Sequence, residues 1–294
     1  MKYIVRMSAG LANRMLQYTF YLYLKKQGKE VFLDNKYKAT RWKMEDINWE
    51  RIFPYANIPQ ASDSLIFKYG GGYNWFDKFR RHYLKFSSKV WIASNATVIP
   101  TNEILSKYGY LIGVYQDASI ADYVKEDILK IFRFSDFEES SKNAKLAIRM
   151  KSENSVAIHI RKGKDYLLRT DFQGTCPIEY YQKAVQIIKS KVDNPIFYVF
   201  TDNADWVKEN FKGIDYLLID GNPTSGWGNH FDLQLMSCCK HNIIANSTYS
   251  WWGAFLNSNP NKIVIDPLYW FNPSLPKYKN IENKTACKGW ILLS

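Results

Sequence analysis

The second half of the chain alternates short apolar runs with longer segments that are apolar on one side only. The runs at residues 156–160, 196–200 and 263–265 have the length and aliphatic content of buried strands. Segment 177–191 repeats apolar residues at the spacing of one helix face. This alternation is typical of a doubly wound parallel sheet with helices on both faces. The same pattern predicts strands at 216–219 and 242–245 and helices at 204–211, 231–241 and 250–256.

The first half of the chain opens with a predicted β-α-β unit. Apolar runs at residues 3–7 and 31–33 predict two strands, with a helical repeat between them. Between residues 35 and 110, prolines and three consecutive glycines break the pattern, and we expect helices and loops there rather than strands. The predicted apolar face of the first helix carries Leu11, Met15, Tyr18 and Leu22.

The length of the chain and the position of the clear alternation predict two domains. A chain of 294 residues can form two α/β domains of ordinary size. Because the regular alternation begins near residue 150, we predict a first domain at residues 1–150 and a Rossmann-like, nucleotide-binding domain at residues 151–294.

Most of the net charge lies in the first third of the chain. The sequence has 40 Lys and Arg against 28 Asp and Glu, a net charge of +12. Residues 1–100 hold 17 of the basic and 7 of the acidic residues, a net +10. A nucleic acid, an anionic membrane surface or a phosphorylated substrate could each be the partner of such an excess.

Part of this excess lies in a predicted amphipathic helix at residues 76–86. We expect its aromatic residues to pack on the core and its basic face to lie in solvent. Binding of the helix to anionic lipid is the alternative. The aromatic residues are Phe76, Phe79, Tyr83 and Phe86, and the basic residues are Lys78, Arg80, Arg81 and Lys85.

The cysteines and the N-terminus predict a cytoplasmic protein. Cys238 and Cys239 are adjacent and no C-x-x-C pair occurs, a pattern that favours a reducing compartment over a disulfide framework. Arg6 and Arg14 interrupt the apolar stretch that a signal peptide needs, and no run of about 18 apolar residues occurs. Peripheral contact with the inner membrane face stays open.

Polar side chains follow the ends of three predicted strands. Because the carboxyl ends of parallel strands meet at one edge of a sheet, these side chains form one candidate site, and arginines with helix-terminal hydroxyls suit a diphosphate. Each residue taken alone is as readily explained as an ion pair, a helix cap or a solvated turn. The residues are His159, Arg161, Lys162, Lys164 and Asp165, then Thr201, Asp202 and Asn203, then Asn246, Ser247, Thr248 and Ser250.

Motifs of several other protein classes do not occur in the sequence. Without G-x-G-x-x-G after a strand or G-x-x-x-x-G-K-[ST], neither a dinucleotide oxidoreductase nor a P-loop enzyme is indicated. There is no D-x-D motif and no zinc-ligand spacing, so we expect no metal, with Arg and Lys neutralising charge instead. No signature of a nucleic-acid-binding module occurs, and we expect no nucleic acid partner.

Three segments carry a family resemblance. Residues 10–18 are GLANRMLQY, residues 156–166 are VAIHIRKGKDY, and residues 232–256 are DLQLMSCCKHNIIANSTYSWWGAFL. In this order they resemble G-L-G-N-Q-M-F-Q-Y, V-H-I-R-R-G-D-Y and the long C-terminal motif of the bacterial α-1,2-fucosyltransferases of glycosyltransferase family 11.

Two of the segments depart from the family motifs. Ala12 and Arg14 stand where the first motif has glycine and glutamine. Lys162 stands where the second motif has arginine, and an extra residue separates it from Asp165. A lysine at this place would replace a two-pronged contact with a point charge.

The resemblance implies a GT-B-like fold of two Rossmann-like domains. It also implies the activity of a galactoside 2-α-L-fucosyltransferase that inverts the configuration at the anomeric carbon of fucose and uses neither metal nor cofactor. L-Fucose would pass from GDP-β-L-fucose to the 2-hydroxyl of a β-galactoside, in an oligosaccharide or a lipid-linked surface glycan. The resemblance places Arg161 on the β-phosphate, His159 near the guanine or diphosphate, Asp232 on guanine and Asn13 near the reacting centre. Lys162, Asp202, Ser247, Thr248 and Ser250 complete the candidate donor site.

Alternatives remain open for the proton acceptor and for the exact function. Inversion usually needs a carboxylate near the acceptor hydroxyl, and Asp165, Asp171 and Asp117 are the candidates. Alternatively, Asn13 orients the hydroxyl and a phosphate oxygen or water takes the proton. The alternatives in function are a related GDP-sugar transferase with another donor or linkage and, from a different class, a basic protein that binds nucleic acid or a membrane surface.

Overall fold

The computed structural model describes residues 1–36, 48–72, 74–84, 88–279 and 283–294, and the backbone but not the side chain of Asp165. The described chain divides into two compact units, Met1–Arg133 and Phe134–Ser294. Both units contain a parallel sheet and helices, which confirms the predicted α/β class.

The first unit is built on a four-stranded parallel sheet. Its strands are β1 (Tyr3–Arg6), β2 (Val31–Asp34), β3 (Val90–Ile92) and β4 (Tyr110–Ile112). They pair in the order β2-β1-β4-β3. The helices described in this unit are α1 (Leu11–Lys26), α2 (Trp49–Ile52), α3 (Asp63–Tyr69), α4 (Trp75–Tyr83), α5 (Asn102–Lys107), α6 (Ala118–Tyr123) and α7 (Lys125–Ile131).

Long aromatic side chains join the elements of the first unit. The Tyr3 hydroxyl on β1 donates to the carbonyl oxygen of Leu105 on α5 at 3.0 Å. The Tyr110 hydroxyl on β4 donates to the carboxylate of Asp34 at the end of β2 at 2.6 Å. The predicted apolar face of α1 is confirmed, since its four residues, Leu11, Met15, Tyr18 and Leu22, are all buried.

Strand β3 corrects the expectation of helices and loops between residues 35 and 110. The segment does contain helices, but Val90–Ile92 pairs with Tyr110–Ile112 at the edge of the sheet. A strand of three residues is too short to show the alternation of apolar and polar positions that identifies a strand in a sequence. Its residue Ile92 is also exposed, so the strand lacks a fully buried apolar run.

Helix α4 confirms the predicted helix, but the predicted packing of its aromatic stripe is wrong. Trp75, Phe76, Phe79 and Tyr83 are exposed, whereas Asp77 is 1% exposed. A side chain at Gly72 would collide with the Asp77 carboxylate, so the backbone at this glycine makes room for the acid. The helix therefore faces the protein with its polar side. The predicted members Lys85 and Phe86 lie outside the described residues.

The second unit has a six-stranded parallel sheet. Its strands are β5 (Ser155–Ile160), β6 (Ile196–Thr201), β7 (Tyr216–Ile219), β8 (His241–Ile243), β9 (Val264–Pro267) and β10 (Ile291–Leu293). They pair in the order β10-β9-β8-β5-β6-β7, which confirms the doubly wound sheet. Its helices are α8 (Lys142–Ser152), α9 (Lys164–Leu167), α10 (Ile178–Lys189), α11 (Ala204–Asn210), α12 (Phe231–Cys238) and α13 (Thr248–Leu256), with single 3-10 turns at Thr170–Phe172 and Pro276–Tyr278.

The contacts divide the chain at residues 133 and 134, whereas the sequence pattern places the boundary at 150. Helix α8 accounts for the difference because it packs against α12 of the second unit. The Asn143 side chain on α8 also donates to the Asn222 side-chain oxygen at 2.8 Å.

Strand β5 forms the centre of the second unit. All six of its residues are buried, and it pairs with β6 on one side and β8 on the other. Tyr180 of α10 lies fully buried across this sheet, and its hydroxyl donates to the carbonyl oxygen of Ile244 at 2.7 Å. The centre of the sheet is thus held by strand pairing and by a helix anchored to the backbone beyond β8.

In the described part of the chain, no helix is long and apolar enough to cross a membrane. The same residues contain no group of three or more His, Cys, Asp or Glu side chains that could hold a metal ion. All four cysteines are free thiols.

A carboxyl group is buried at the end of β9. Asp266 is fully buried, and its nearest polar partners, the Asn283 amide and the Thr285 hydroxyl, lie 3.4 Å from Oδ2. Burial raises the pKa of Asp266 from 3.8 to about 8, because these distant partners compensate poorly for lost water.

This burial predicts a pH-dependent effect of Asp266→Asn. Between pH 4 and 8 the folded chain keeps a proton on Asp266 that the unfolded chain releases, so this group makes the protein less stable as pH rises through that window. The asparagine amide that replaces it does not ionise in this pH range. We expect the variant to gain about 5 °C or more in melting temperature at pH 9 relative to the parent, and much less at pH 5.

The matched control for this comparison is Asp193→Asn at an exposed position. Thermal unfolding of the three proteins at both pH values is the measurement. An equal difference between Asp266→Asn and the parent at pH 5 and pH 9 would contradict the prediction.

Candidate functional site

A cleft opens at the carboxyl ends of β5 and β6. The strand order reverses at β5, because β6 lies on one side of it and β8 on the other. Ligands of such sheets bind beyond the carboxyl ends of the strands near this reversal. The cleft holds about 570 Å³ of space, part of it open to solvent. Its polar lining includes His159, Arg161, Thr201, Asp202, Asp232 and Tyr249.

His159 lies near the end of β5 and is 7% exposed. Its Nδ1 atom is buried and has no hydrogen-bond partner among the described residues. Burial, with a smaller contribution from the Arg161 charge, lowers the pKa of His159 to about 3. The imidazole is therefore neutral at physiological pH and acts in the cleft through hydrogen bonds rather than charge.

Arg161 and Asp202 form an ion pair in the lining of the cleft. The Arg161 Nε atom lies 3.9 Å from Asp202 Oδ2, and both side chains are about one-third exposed. The other oxygen, Asp202 Oδ1, accepts the backbone N–H of Lys162 at 2.7 Å. The carboxylate at the end of β6 thus fixes the loop that follows β5. Among the described residues that line the cleft, only Arg161 is basic.

Lys162 is directed elsewhere. Its Nζ atom donates to the carbonyl oxygen of Cys176 at 2.9 Å and lies 5.2 Å from the centroid of the Trp206 ring. Burial lowers the pKa of Lys162. In this structure Arg161 faces the cleft, and Lys162 secures the segment that precedes α10.

Asp232 lies in the first turn of α12 and lines the cleft. Its Oδ1 atom accepts a hydrogen bond from the Asn222 amide at 2.7 Å. Burial raises the pKa of Asp232, and the hydrogen bond from Asn222 opposes this shift. The hydrogen bond from Asn222 thus holds the carboxylate in the lining of the cleft.

The start of α13 lies just beyond β8. Ser247 precedes the helix and Thr248 begins it. Ser250 is fully buried, and its hydroxyl donates within the chain to the carbonyl oxygens of Ser247 and Ala245 at 3.3 and 3.4 Å. The first turn of any α-helix has backbone N–H groups without an acceptor in the helix itself, and this end of a helix favours anions.

Three polar lining residues, Thr224, Asn229 and Tyr249, were not identified from the sequence. Tyr249 is partly buried, and its hydroxyl donates to the Asn229 carbonyl oxygen at 2.7 Å and accepts the Leu233 N–H at 3.0 Å. Asn229 and Thr224 come from the loop after β7. That loop follows a strand end and is rich in Gly, Asn and Ser, so the rule used for the other strands could have included it.

In the first unit, Asn13 lies in the first turn of α1 and is partly exposed. The next residue, Arg14, is buried and its Nε donates to the carbonyl oxygen of Ala9 at 3.1 Å, while a terminal nitrogen donates to the Asn35 side chain at 3.1 Å. Ala9 has a φ of 68°, so the loop before α1 adopts a conformation that needs such support. Arg14 thus fixes the loop that leads into the helical turn carrying Asn13.

Gln17 supports the same loop from the next turn of α1. It is 1% exposed, and its side-chain oxygen accepts the Ser8 N–H at 2.7 Å. Its amide donates to the carbonyl oxygen of Gly113 at 2.9 Å. The first family-like segment therefore has a structural role that extends beyond Asn13.

The three candidate carboxylates have different surroundings. Asp171 pairs with Lys277 at 2.6 Å, and this hydrogen-bonded partner lowers the pKa of the acid. Asp117 caps α6 through the N–H and hydroxyl of Ser119, at 2.9 and 2.6 Å. The side chain of Asp165 lies outside the described residues. Asp171 and Asp117 thus each have a structural contact.

The chain is similar to one curated protein along nearly its whole length and to others along about half of it. It is 28% identical to the O-antigen biosynthesis glycosyltransferase WbnK of Escherichia coli, over 98% of this chain and 99% of that protein. It is 34% identical to an alpha-1,2-colitosyltransferase of Escherichia coli, over 54% of this chain and 55% of that protein. It is 29% identical to galactoside alpha-(1,2)-fucosyltransferase 1 of Aotus azarae, over 41% of this chain and 32% of that protein.

A solved structure supports the fold. FUT1 of Arabidopsis thaliana in complex with GDP superposes with a TM-score of 0.51 over 97% of this chain and 72% of that one, at 15% identity. The GT-B-like architecture is therefore shared. The model of glycosyl transferase family 11 matches residues 3–293, and the chain belongs to that family.

Proposed function

We propose that this protein transfers L-fucose from GDP-β-L-fucose to the 2-hydroxyl of a β-galactoside, with inversion and without a metal. The observation that carries the proposal is the cleft in which His159, Arg161 and Asp232 converge. A relative named for O-antigen biosynthesis supports a surface glycan, either free or linked to lipid, as the acceptor.

Asp232 suits guanine at one end of the cleft. Guanine presents N1–H and N2–H₂ donors on one edge, which a carboxylate can accept together. Uracil and adenine lack this pair of donors. Because the Asp232 carboxylate is largely buried, two donors from the base would compensate for the water it has lost.

Arg161 suits the diphosphate at the other end. The leaving GDP gathers negative charge as the bond to fucose breaks, and a cation placed on that charge acts mainly in the transition state. The neutral His159 can hydrogen-bond the donor without repelling Arg161. The N-terminus of α13, with Ser247 and Thr248, supplies further donors.

On the acceptor side, we assign Asn13 to orientation of the acceptor hydroxyl and Asp165 to removal of its proton. Asp117 and Asp171 are weaker candidates because both are engaged in the cap and ion pair described above. If the transition state is largely dissociative, Asn13 with a phosphate oxygen or water suffices, and the Asp165 carboxylate is dispensable.

A related donor is the second candidate. The relative named an alpha-1,2-colitosyltransferase is 34% identical over 54% of this chain. Colitose is fucose without the 3-hydroxyl group, so GDP-fucose and GDP-colitose present the same base and diphosphate to the cleft. Comparing turnover with the two donors distinguishes these functions.

Ligand-dependent thermal unfolding tests the nucleotide. We expect GDP and GDP-fucose to raise the melting temperature, and UDP and ADP at the same concentration to leave it nearly unchanged. Asp232→Asn should weaken GDP binding roughly 10- to 100-fold, the cost of a lost bidentate base contact. Equal stabilisation by all nucleotides, or none by GDP, would overturn the assignment.

Steady-state kinetics test Arg161. Arg161→Ala should lower turnover by about two to three orders of magnitude, since the loss of one such donor costs roughly 3 kcal/mol. Arg149→Ala, an exposed and ion-paired arginine of α8 outside the cleft lining, is the matched control and should retain most activity. Near-parental turnover of Arg161→Ala would refute this role.

Three single variants test the proton acceptor. We expect Asp165→Asn to lose at least about 100-fold in turnover, the usual contribution of a general base, and Asp117→Asn and Asp171→Asn to lose far less. Folding of each variant is checked by its melting temperature with and without GDP. If all three retain most of their activity, no protein carboxylate takes the proton.

A further inference from the structure

Helix α4 exposes a continuous aromatic face. Trp75 is 76% exposed, Tyr83 67%, Phe76 47% and Phe79 36%. Residues three or four apart share one side of a helix, so Trp75, Phe79 and Tyr83 follow one line along α4, and Phe76 lies beside it. Surface helices usually direct such residues to the core.

The opposite side of α4 is polar and is the side that holds the helix in place. Asp77 is buried against the backbone of Gly72. A terminal nitrogen of Arg80 lies 3.6 Å from the Asp77 carboxylate. Arg81 donates to the carbonyl oxygens of Gly70 and Gly72, both at 2.6 Å. These contacts orient the helix, and its aromatic side consequently faces outward.

The aromatic residues support one another on this surface. Trp75 and Phe79 have ring centroids 5.7 Å apart, and Phe79 and Tyr83 have centroids 4.9 Å apart. Phe67 of α3, itself 51% exposed, stacks on Phe76 at 6.5 Å. A contiguous apolar patch of this kind is typical of an interaction site, whereas single exposed apolar side chains are common on any protein surface.

Positive charge borders this patch. Lys78 is exposed on α4 and Lys68 is exposed on α3 beside Phe67. Arg80 lies over the Phe67 ring at 5.5 Å from its centroid. The only acidic residue of α4, Asp77, is buried, so the exposed surface of the helix is aromatic and cationic.

We propose that the exposed side of α4, with Phe67 and Lys68 of α3, docks on the surface of an anionic phospholipid bilayer. Trp, Tyr and Phe side chains favour the boundary between headgroups and acyl chains, and lysines beside them are attracted to anionic lipid. The surface is independent of the donor cleft. Docking would bring the enzyme to the plane in which a lipid-linked substrate is anchored.

Vesicle co-sedimentation of the full chain tests the proposal. We expect binding to vesicles of phosphatidylcholine with phosphatidylglycerol, weak binding to phosphatidylcholine alone, and loss of binding as salt is raised. Trp75→Ala with Phe79→Ala should reduce binding to the anionic vesicles roughly tenfold or more. Tyr269→Ala, an exposed aromatic of the second unit, is the matched control and should bind normally.

Charge variants separate the two contributions. Lys68→Ser with Lys78→Ser should weaken binding to anionic vesicles and flatten its salt dependence, and Lys145→Ser, an exposed lysine of α8, should not. Because all these side chains are exposed, the melting temperatures should match that of the parent, and GDP should stabilise every variant alike if the proposed donor is correct.

Two results would overturn the proposal. One is equal vesicle binding by the parent and by Trp75→Ala with Phe79→Ala. The other is a parent that does not bind vesicles but forms a dimer by light scattering, with the dimer lost in the same variant; α4 would then be an interface between two copies of the chain. Neither result depends on transferase activity, so failure here is distinct from failure of the proposed function.

Discussion

The central position of β5 is the constraint on which the donor side of this protein depends. The strand is buried along its whole length and pairs with β6 and β8. Residues 156–158 pair with both neighbours and the last two residues, His159 and Ile160, pair with β6, so the place of His159 and the start of the Arg161 loop are set by the sheet. The carboxylate of Asp202, at the end of β6, then fixes that loop through one backbone N–H.

Burial also sets the balance of charge around the cleft. It lowers the pKa of His159 and Lys162 and raises that of Asp232, so in each case it disfavours the charged form. Partially exposed Arg161 therefore supplies the positive charge at the cleft. In the proposed reaction this arrangement concentrates electrostatic stabilisation on one guanidinium, near the bond that breaks.

The sequence predicts much of the second unit because its strands are buried on both faces and are separated by long helices. The same periodicity fails at α4, since it reports that a helix has two unlike faces without showing which one meets the protein; a single acid, Asp77, and the glycine beside it decide that. Strand-end rules located Arg161 and Asp202 in the cleft. The same rules could not show that the Lys162 side chain is directed towards the Cys176 carbonyl oxygen and the Trp206 ring. Both contacts are with residues distant from Lys162 in the sequence.

The Tyr249 hydroxyl gives the cleft a mechanical property. It joins α13 to the Asn229 carbonyl oxygen and to the Leu233 N–H at the start of α12. The helix proposed to meet the phosphates is thereby linked to the turn that carries Asp232, the residue proposed to read the base. A displacement at either end would be transmitted through this linkage. The groups proposed to bind the two ends of a nucleotide would therefore move together rather than independently.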